Sequence, residues 1–418
     1  MTENEVKKPR AVLVGVDTDE YDFEESMREL EELARTAGAE VICVITQGKS
    51  YIDKAHCVGK GKLAEIAEYC QKEEPDYVIF DHELTGSQLR NISEAIDTDV
   101  LDRTMLILDI FAKRAMSKEG KLQVELAQQQ YRLPRLMGIG KSLSRQGGGI
   151  GSKGPGETKL ETDKRYIQSR ILTLKKEIAE VRKTRALHRK HRQKEGTPTV
   201  AIVGYTNVGK STLLNTLTDA GVLSEDMLFA TLDPTARALL LPDGRQLMLV
   251  DTVGLIRRLP HHLIEAFSAT LEEASNADLI LNVCDLSSEK MQDQIDVTKK
   301  LLEEIGAGDI PVINILSKAD KVSSPPLAMN EDTVVISSVT GFGLDSLLKA
   351  ISKKLKPTHR DMALLIPYDK GGLISQIREG GKVYSEDYTA DGTLVRANVD
   401  IRIIPKLEEF EIMDDEDF

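Results

Sequence analysis

Two hydrophobic periods alternate along most of this chain: short apolar, β-branched runs, and amphipathic stretches with apolar residues at helical spacing. Ala11–Val16, Glu40–Ile45 and Tyr77–Phe80 read as strands, with helices over Glu24–Ala37 and Leu63–Glu73 between them. A helix over 87–96 and the Leu106–Ile110 segment complete residues 1–111, a small N-terminal α/β domain with a mainly parallel sheet. Residues 112–196 follow another pattern. Lys121–Leu133 is Gln-rich and helical, and Leu160–Gln193 places apolar residues at 160, 167, 171, 174, 178, 181 and 187 with no Gly or Pro. Together they predict an antiparallel helical hairpin. Between them, residues 147–156 hold six glycines in ten positions, too many for regular structure without a partner.

Beyond the linker Gly196-Thr-Pro-Thr199, strand-like runs recur at 199–203, 247–251, 279–284, 311–316 and 333–336 with helices between. This predicts a doubly wound α/β sheet over 197–357, with its ligand at the strand C-terminal ends. Residues 358–418 read as a small α+β module: Met362–Ile366, a helix near 371–380, and strands around 382–388 and 393–404. The acidic stretch Glu408–Phe418 is expected to fray.

Composition fits several globular domains, since 418 residues exceed one ordinary core. No apolar run reaches the ~20 residues of a membrane span. Peripheral membrane association stays open. Met1–Lys8 has no apolar signal core, so the cytoplasm is the expected compartment, and a monomer is the expected state. Cys43, Cys57, Cys70 and Cys284 form no Cys-x-x-Cys pair and read as small buried hydrophobes; the histidines lack ligand partners. Charge changes the picture more. The net −13 hides a middle region, 112–196, with 22 Lys/Arg against 8 Asp/Glu; its +14 leaves −27 for the remainder. This asymmetry suggests a polyanion-binding hairpin, or else solvated helices balancing acidic domains.

The chemistry concentrates after 199–203. Gly204, Tyr205, Thr206, Asn207, Val208, Gly209, Lys210 and Ser211 spell a phosphate-binding loop between a strand and a helix start. Its glycines let backbone N–H groups converge on phosphates, Lys210 places a charge at the β- and γ-phosphates, and the Ser211 hydroxyl can ligate Mg²⁺. Asp251, Thr252, Val253 and Gly254 follow a second strand; Asp251 can hold the ion through water, and the Gly254 N–H can sense a γ-phosphate. Phe229, Ala230, Thr231, Leu232 and Asp233 read as a switch loop offering Thr231 as a second hydroxyl for Mg²⁺, which makes Lys210, Thr231 and Gly254 the candidate catalytic set. Ser317, Lys318, Ala319 and Asp320 follow a third strand. The Asp320 carboxylate can accept the paired N1–H and N2–H₂ donors of guanine, which adenine lacks, so GTP and GDP are the expected nucleotides. Ser337, Ser338 and Val339 would close over the base with backbone N–H groups.

These strings resemble the motifs of TRAFAC-class GTPases, with one larger departure: Ser317 stands where the class has Asn. The resemblance implies weaker contacts to the base and the phosphate loop at this position. Leu255 occupies the place of a water-orienting Gln, which implies slow intrinsic hydrolysis and help from a partner. Asn207 sits where related GTPases ligate a monovalent cation, making K⁺ a candidate activator; Asn207 could equally brace the loop. Tyr51–Lys62, Asp81–Asn91, Val100–Thr104 and above all Gly147–Arg165 resemble the HflX family of ribosome-associated GTPases. That resemblance implies binding to the large (50S) ribosomal subunit and its rRNA near the peptidyl-transferase region, and splitting of stalled or idle 70S ribosomes under stress. Arg182, Lys183, Arg185, Arg189, Lys190 and Arg192 would then meet RNA phosphates. A nucleotide-gated assembly checkpoint or antibiotic-protection factor is the alternative. The resemblance also implies, as in some members, ATP hydrolysis and a proposed RNA-remodelling role, although Gly59-Lys-Gly-Lys62 is too short for a second phosphate loop.

Overall fold

An apolar run such as Ala11–Val16 can be buried on both faces only in a sheet covered on each side, and β1 (Arg10–Asp17) forms there. The computed structural model describes residues 8–143, 155–195, 197–218, 228–229, 235–256, 268–324, 326, 332–355, 357 and 359–412. Strand β1 pairs in parallel with β2 (Glu40–Gly48) and β3 (Tyr77–Phe80), and β4 (Asp99–Asp102) extends the sheet to the order β2-β1-β3-β4. Helices α1 (Phe23–Thr36), α2 (Lys60–Glu73), α3 (Gly86–Ile96) and α4 (Arg103–Arg114) connect and flank the strands. The Leu106–Ile110 segment lies inside α4, and the fourth strand is the four residues before it. Asp102 marks the change from strand to helix. Its Oδ1 caps α4 by accepting from Met105 N at 2.8 Å, while Oδ2 accepts from Leu84 N at 2.9 Å and from the Tyr131 hydroxyl. Burial pushes its carboxyl up from the ordinary value, against the lowering effect of those bonds.

Tyr131 belongs to α5 (Lys118–Leu143), which packs antiparallel on α6 (Pro155–Glu195). Leu122 and Leu126 meet Leu174 and Ile178 at the seam, and Arg170 clamps Glu125 through two bonds of 2.6 and 2.7 Å. Helix α5 runs on through Pro134. Pro134 lacks an N–H, and next to it the Arg135 side chain donates to the Tyr131 carbonyl at 2.9 Å. The glycine-rich 147–154 stretch lies outside the described residues.

The second sheet has the order β10-β9-β8-β5-β7-β6. Its parallel strands are β5 (Thr199–Gly204), β7 (Gln246–Asp251), β8 (Leu279–Asp285), β9 (Val312–Ser317) and β10 (Thr333–Val335). The sequence reading missed β6 (Thr235–Leu240), an antiparallel edge strand whose mostly exposed residues give no apolar run. Helices α7 (Lys210–Thr218), α8 (Ser268–Ser275), α9 (Met291–Glu304) and α10 (Leu344–Lys354) complete this part.

Compact units span Met1–Ser352 and Lys353–Phe418. Within the second, β11 (His359–Ile366), β13 (Thr393–Asp400) and β12 (Lys382–Tyr388) make an antiparallel sheet in that order, covered by α11 (Gly372–Gly380). The last strand stops at Asp400 rather than 404. The acidic stretch is not frayed as far as Ile412: Arg360 pairs with Glu411 at 2.5 Å and Ile412 N donates to Ala363 O at 3.0 Å.

Candidate functional site

Strand β5 ends in a turn that only glycine can begin. Gly204 has φ +146°, and a Cβ there would sit 2.2 Å from the Val283 carbonyl oxygen of the neighbouring strand. The loop then passes through Asn207 in the left-handed region, at φ +60°, and enters α7 at Lys210. Lys210 is buried, and its Nζ donates to the Tyr205 carbonyl at 2.7 Å. Burial lowers its pKa to about 8, with the Asp251 carboxylate acting in the opposite direction. Ser211 Oγ donates to Asp251 Oδ2 at 2.8 Å. A hydroxyl and a carboxylate at this separation, behind a phosphate loop, fit Mg²⁺, which fills its remaining positions from phosphate oxygens and water. Among the described residues no cluster of three acidic, His or Cys side chains offers a complete protein shell.

The Asp251–Gly254 segment is stitched to this loop. Thr206 N donates to Leu255 O at 2.8 Å and Leu255 N donates to Gly204 O at 3.0 Å. Gly254 is needed because a Cβ there would lie 2.7 Å from Thr206 Cγ2 and 3.1 Å from Lys210 Nζ. The Thr252 side chain is engaged with the sheet, its Oγ1 donating to Ile202 O at 2.7 Å, and Val253 is buried. Leu255 is buried too.

On the base side, Ser317 requires a correction. The shorter side chain was expected to lose contact with the phosphate loop. Instead its buried hydroxyl lies 2.7 Å from the Val208 carbonyl and 2.9 Å from that of Cys284, with its one proton shared between them. Lys318, left-handed at φ +58°, donates to Asn207 O at 2.7 Å and pairs with Asp285 at 2.8 Å. The Lys318 ammonium holds the Asp285 carboxyl below its ordinary value, although burial pushes the other way. Asp285 was absent from the sequence reading; its position at the C-terminal end of β8 was the available signal. Ser337 Oγ donates to Asp320 Oδ1 at 2.6 Å, Ser338 O accepts from Thr216 Oγ1 at 3.2 Å, and Val339 is exposed. Val208 and Ala319 are buried, so they offer a ligand only backbone.

Phe229 lies elsewhere. Its ring packs edge-on against Phe111 of α4, with centroids 4.7 Å apart, and Leu228 N donates to Thr36 Oγ1 of α1 at 3.3 Å. Ala230, Thr231, Leu232 and Asp233 fall outside the described residues. Among the hairpin cations, Arg185 is turned inward onto Glu119 at 3.4 Å, Glu273 at 3.6 Å and Glu272, and Arg182 reaches Glu272 at 3.5 Å. This corrects the expectation that Arg185 faces RNA: it joins α5 and α6 to α8. Lys183 is exposed beside Glu180, and the side chains of Arg189, Lys190 and Arg192 are not among the described ones. Cys57, Cys70 and Cys284 are buried free thiols and Cys43 is a half-buried one; burial raises Cys57 and Cys284 to about 12.

With a charged lysine held under the loop and a carboxylate two strands away on the base side, the second sheet is organised as a phosphate-loop nucleotide hydrolase. Comparison with known proteins narrows this class. Residues 24–112 match the family described as GTP-binding GTPase N-terminal, 114–192 the GTP-binding GTPase Middle Region, 199–318 the 50S ribosome-binding GTPase and 326–408 the HflX C-terminal domain. GTPase HflX of Caldanaerobacter subterraneus subsp. tengcongensis is 51% identical over 403 residues, covering 96% of this chain and 94% of the relative. GTPase HflX of Escherichia coli is 41% identical over 391 residues, 92% of each. A GTP-binding protein of Sulfolobus solfataricus solved with GDP is 25% identical, with 82% of this chain and 98% of that one covered and a TM-score of 0.46. The chain belongs to the GTPase HflX family, and it is a GTP hydrolase. No described helix is long and apolar enough to cross a membrane.

Proposed function

We propose that this GTPase binds the large ribosomal subunit through rRNA and uses its nucleotide state to dissociate stalled or idle ribosomes in the cytoplasm, acting as a monomer. The observation that carries this reading is the match of residues 199–318 to a ribosome-binding GTPase family, joined to a hairpin whose local charge is +14. Lys210 contacts the β- and γ-phosphates, and the backbone N–H groups of 207–211 cradle them. Ser211 and Thr231 would hold Mg²⁺, with Asp251 acting through water, and the bound ion would supply charge neutralisation at the phosphates. The Gly254 N–H meets the γ-phosphate. Asp320 reads guanine, Lys318 lies along the base, and backbone from Ser337 to Val339 closes over it. Water attacks the γ-phosphorus, the bond to the β–γ bridging oxygen breaks, and GDP and phosphate leave.

Leu255 is apolar, buried and paired in backbone with Tyr205, so it cannot orient that water. Stimulation by the ribosome would supply the water-orienting group that Leu255 does not. K⁺ is proposed as an activating cation at Asn207, and exchanging K⁺ for Na⁺ should then lower kcat. Sedimentation with separated subunits and intact ribosomes in GTP, GDP and a non-hydrolysable analogue tests the partner. Triphosphate-dependent recovery of the protein with large subunits is expected from both free subunits and intact ribosomes. Recovery with neither, or with free large subunits alone as an assembly checkpoint requires, would overturn the reading.

A further inference from the structure

The phosphate loop has a second attachment, made by a side chain the nucleotide chemistry does not use. Tyr205 is buried, and its hydroxyl donates to Glu29 Oε1 of α1. The other Glu29 oxygen accepts from Arg103 Nη2 at 2.5 Å, and Arg103 Nη1 reaches Asp81 Oδ1 at 2.9 Å and Ser26 O at 3.2 Å. Asp81 Oδ2 accepts from Ser26 Oγ at 2.8 Å and from Tyr21 at 3.3 Å. The three charged side chains are 4% (Arg103), 8% (Glu29) and 0% (Asp81) exposed. Glu29 and Asp81 share the Arg103 guanidinium, and the Tyr205 hydroxyl is a further donor to Glu29. A buried ionic cluster of this kind is costly to assemble, and apolar packing of the same volume often stabilises a fold as well or better. Stability alone therefore gives no reason for it.

Tyr205 touches three systems at once. Its side chain closes the ion cluster between α1 and α4, its carbonyl accepts from Lys210, and its backbone pairs with Leu255 just beyond Gly254. We infer that Tyr205 is a positioning residue for GTP, through which the Glu29–Arg103–Asp81 cluster fixes the loop carbonyl that orients Lys210. The coupling runs both ways: displacing α1 against α4 loosens the nucleotide, and filling the nucleotide site tightens the cluster. This holds whatever partner the protein has, so it stands apart from the ribosome reading.

The test is a double-mutant cycle on intrinsic GTP hydrolysis by the full chain. Tyr205→Phe keeps the ring and removes the hydroxyl; KM for GTP should rise about tenfold, the loss of one hydrogen bond to a charged group, with kcat within about twofold. Arg103→Lys, two side chains away, should raise KM by several-fold alone and add nothing in the Tyr205→Phe background. If Arg103→Lys does not fold, Ser26→Ala perturbs the same cluster more gently and replaces it in the cycle. A merely structural Tyr205 would lower the melting temperature without moving KM. An unchanged or lowered KM for Tyr205→Phe, or equal effects of the second substitution in both backgrounds, overturns the inference.

Discussion

Lys210 carries a pH signature that nucleotide binding can read. Its pKa of about 8, against an ordinary 10.5, reflects burial of the ammonium. A bound triphosphate restores the charged form, so binding takes up a proton at pH values between 8 and the ordinary lysine range. GTP affinity should be flat below pH 8 and fall by up to about tenfold per unit above it. Titration calorimetry at pH 8.5 in two buffers of different ionisation enthalpy should reveal the uptake; identical heats would contradict it. The sign for stability is the reverse. The unfolded chain holds this proton up to about 10.5, so the fold gains stability as pH rises from 8. Ser317 makes a second prediction. Its hydroxyl anchors the Val208 carbonyl, so Ser317→Ala should weaken GTP and GDP alike by roughly five- to tenfold in equilibrium binding. Equal affinities would show that the loop holds itself. The motif residues were legible because phosphate, Mg²⁺ and guanine each demand particular groups at particular strand ends. What Ser317 and Tyr205 touch was not, since those contacts join residues 109 and 176 positions apart.

At the scale of elements, the hairpin is fastened to α8 beside the second sheet by Arg185 among three glutamates, with Arg182 adding a contact to Glu272. Arg185 is 15% exposed and bridges α5, α6 and α8 through Glu119, Glu272 and Glu273. Removing it leaves those carboxylates crowded, as the raised pKa of Glu119, driven first by burial and opposed by Arg185, already indicates. Arg185→Ala should cost about 2 kcal/mol in denaturant unfolding and loosen α6 in hydrogen exchange; a surface-like change of a few tenths would refute the clamp. It follows that salt-dependent RNA binding should be tested at Lys183, Arg189, Lys190 and Arg192, without Arg185. The long α6 was readable because its apolar residues keep a helical stripe over many turns. Strand β4 was not, being four residues long with Asp at both ends, and β6 was not because an exposed edge leaves no apolar run. Helix α5 continues past Leu133, where the sequence expectation stopped, through Pro134 to Leu143.

For the whole molecule, the charge map and the nucleotide site are two parts of one proposed cycle: an acidic protein presents a +14 hairpin to RNA and sets its hold by the nucleotide bound. The sheet types and the hairpin followed from hydrophobic period alone, and the family from motifs spread over the chain. The placement of α1 beside the phosphate loop came only with the fold, because no local pattern encodes which helix a loop will meet. Light scattering of intact ribosomes mixed with the protein reads the central claim most directly. With GTP or a non-hydrolysable analogue the scattering should fall as the subunits separate, and with GDP it should hold. Scattering that stays level in every nucleotide state, while the protein still cosediments with free large subunits, would contradict dissociation as its function.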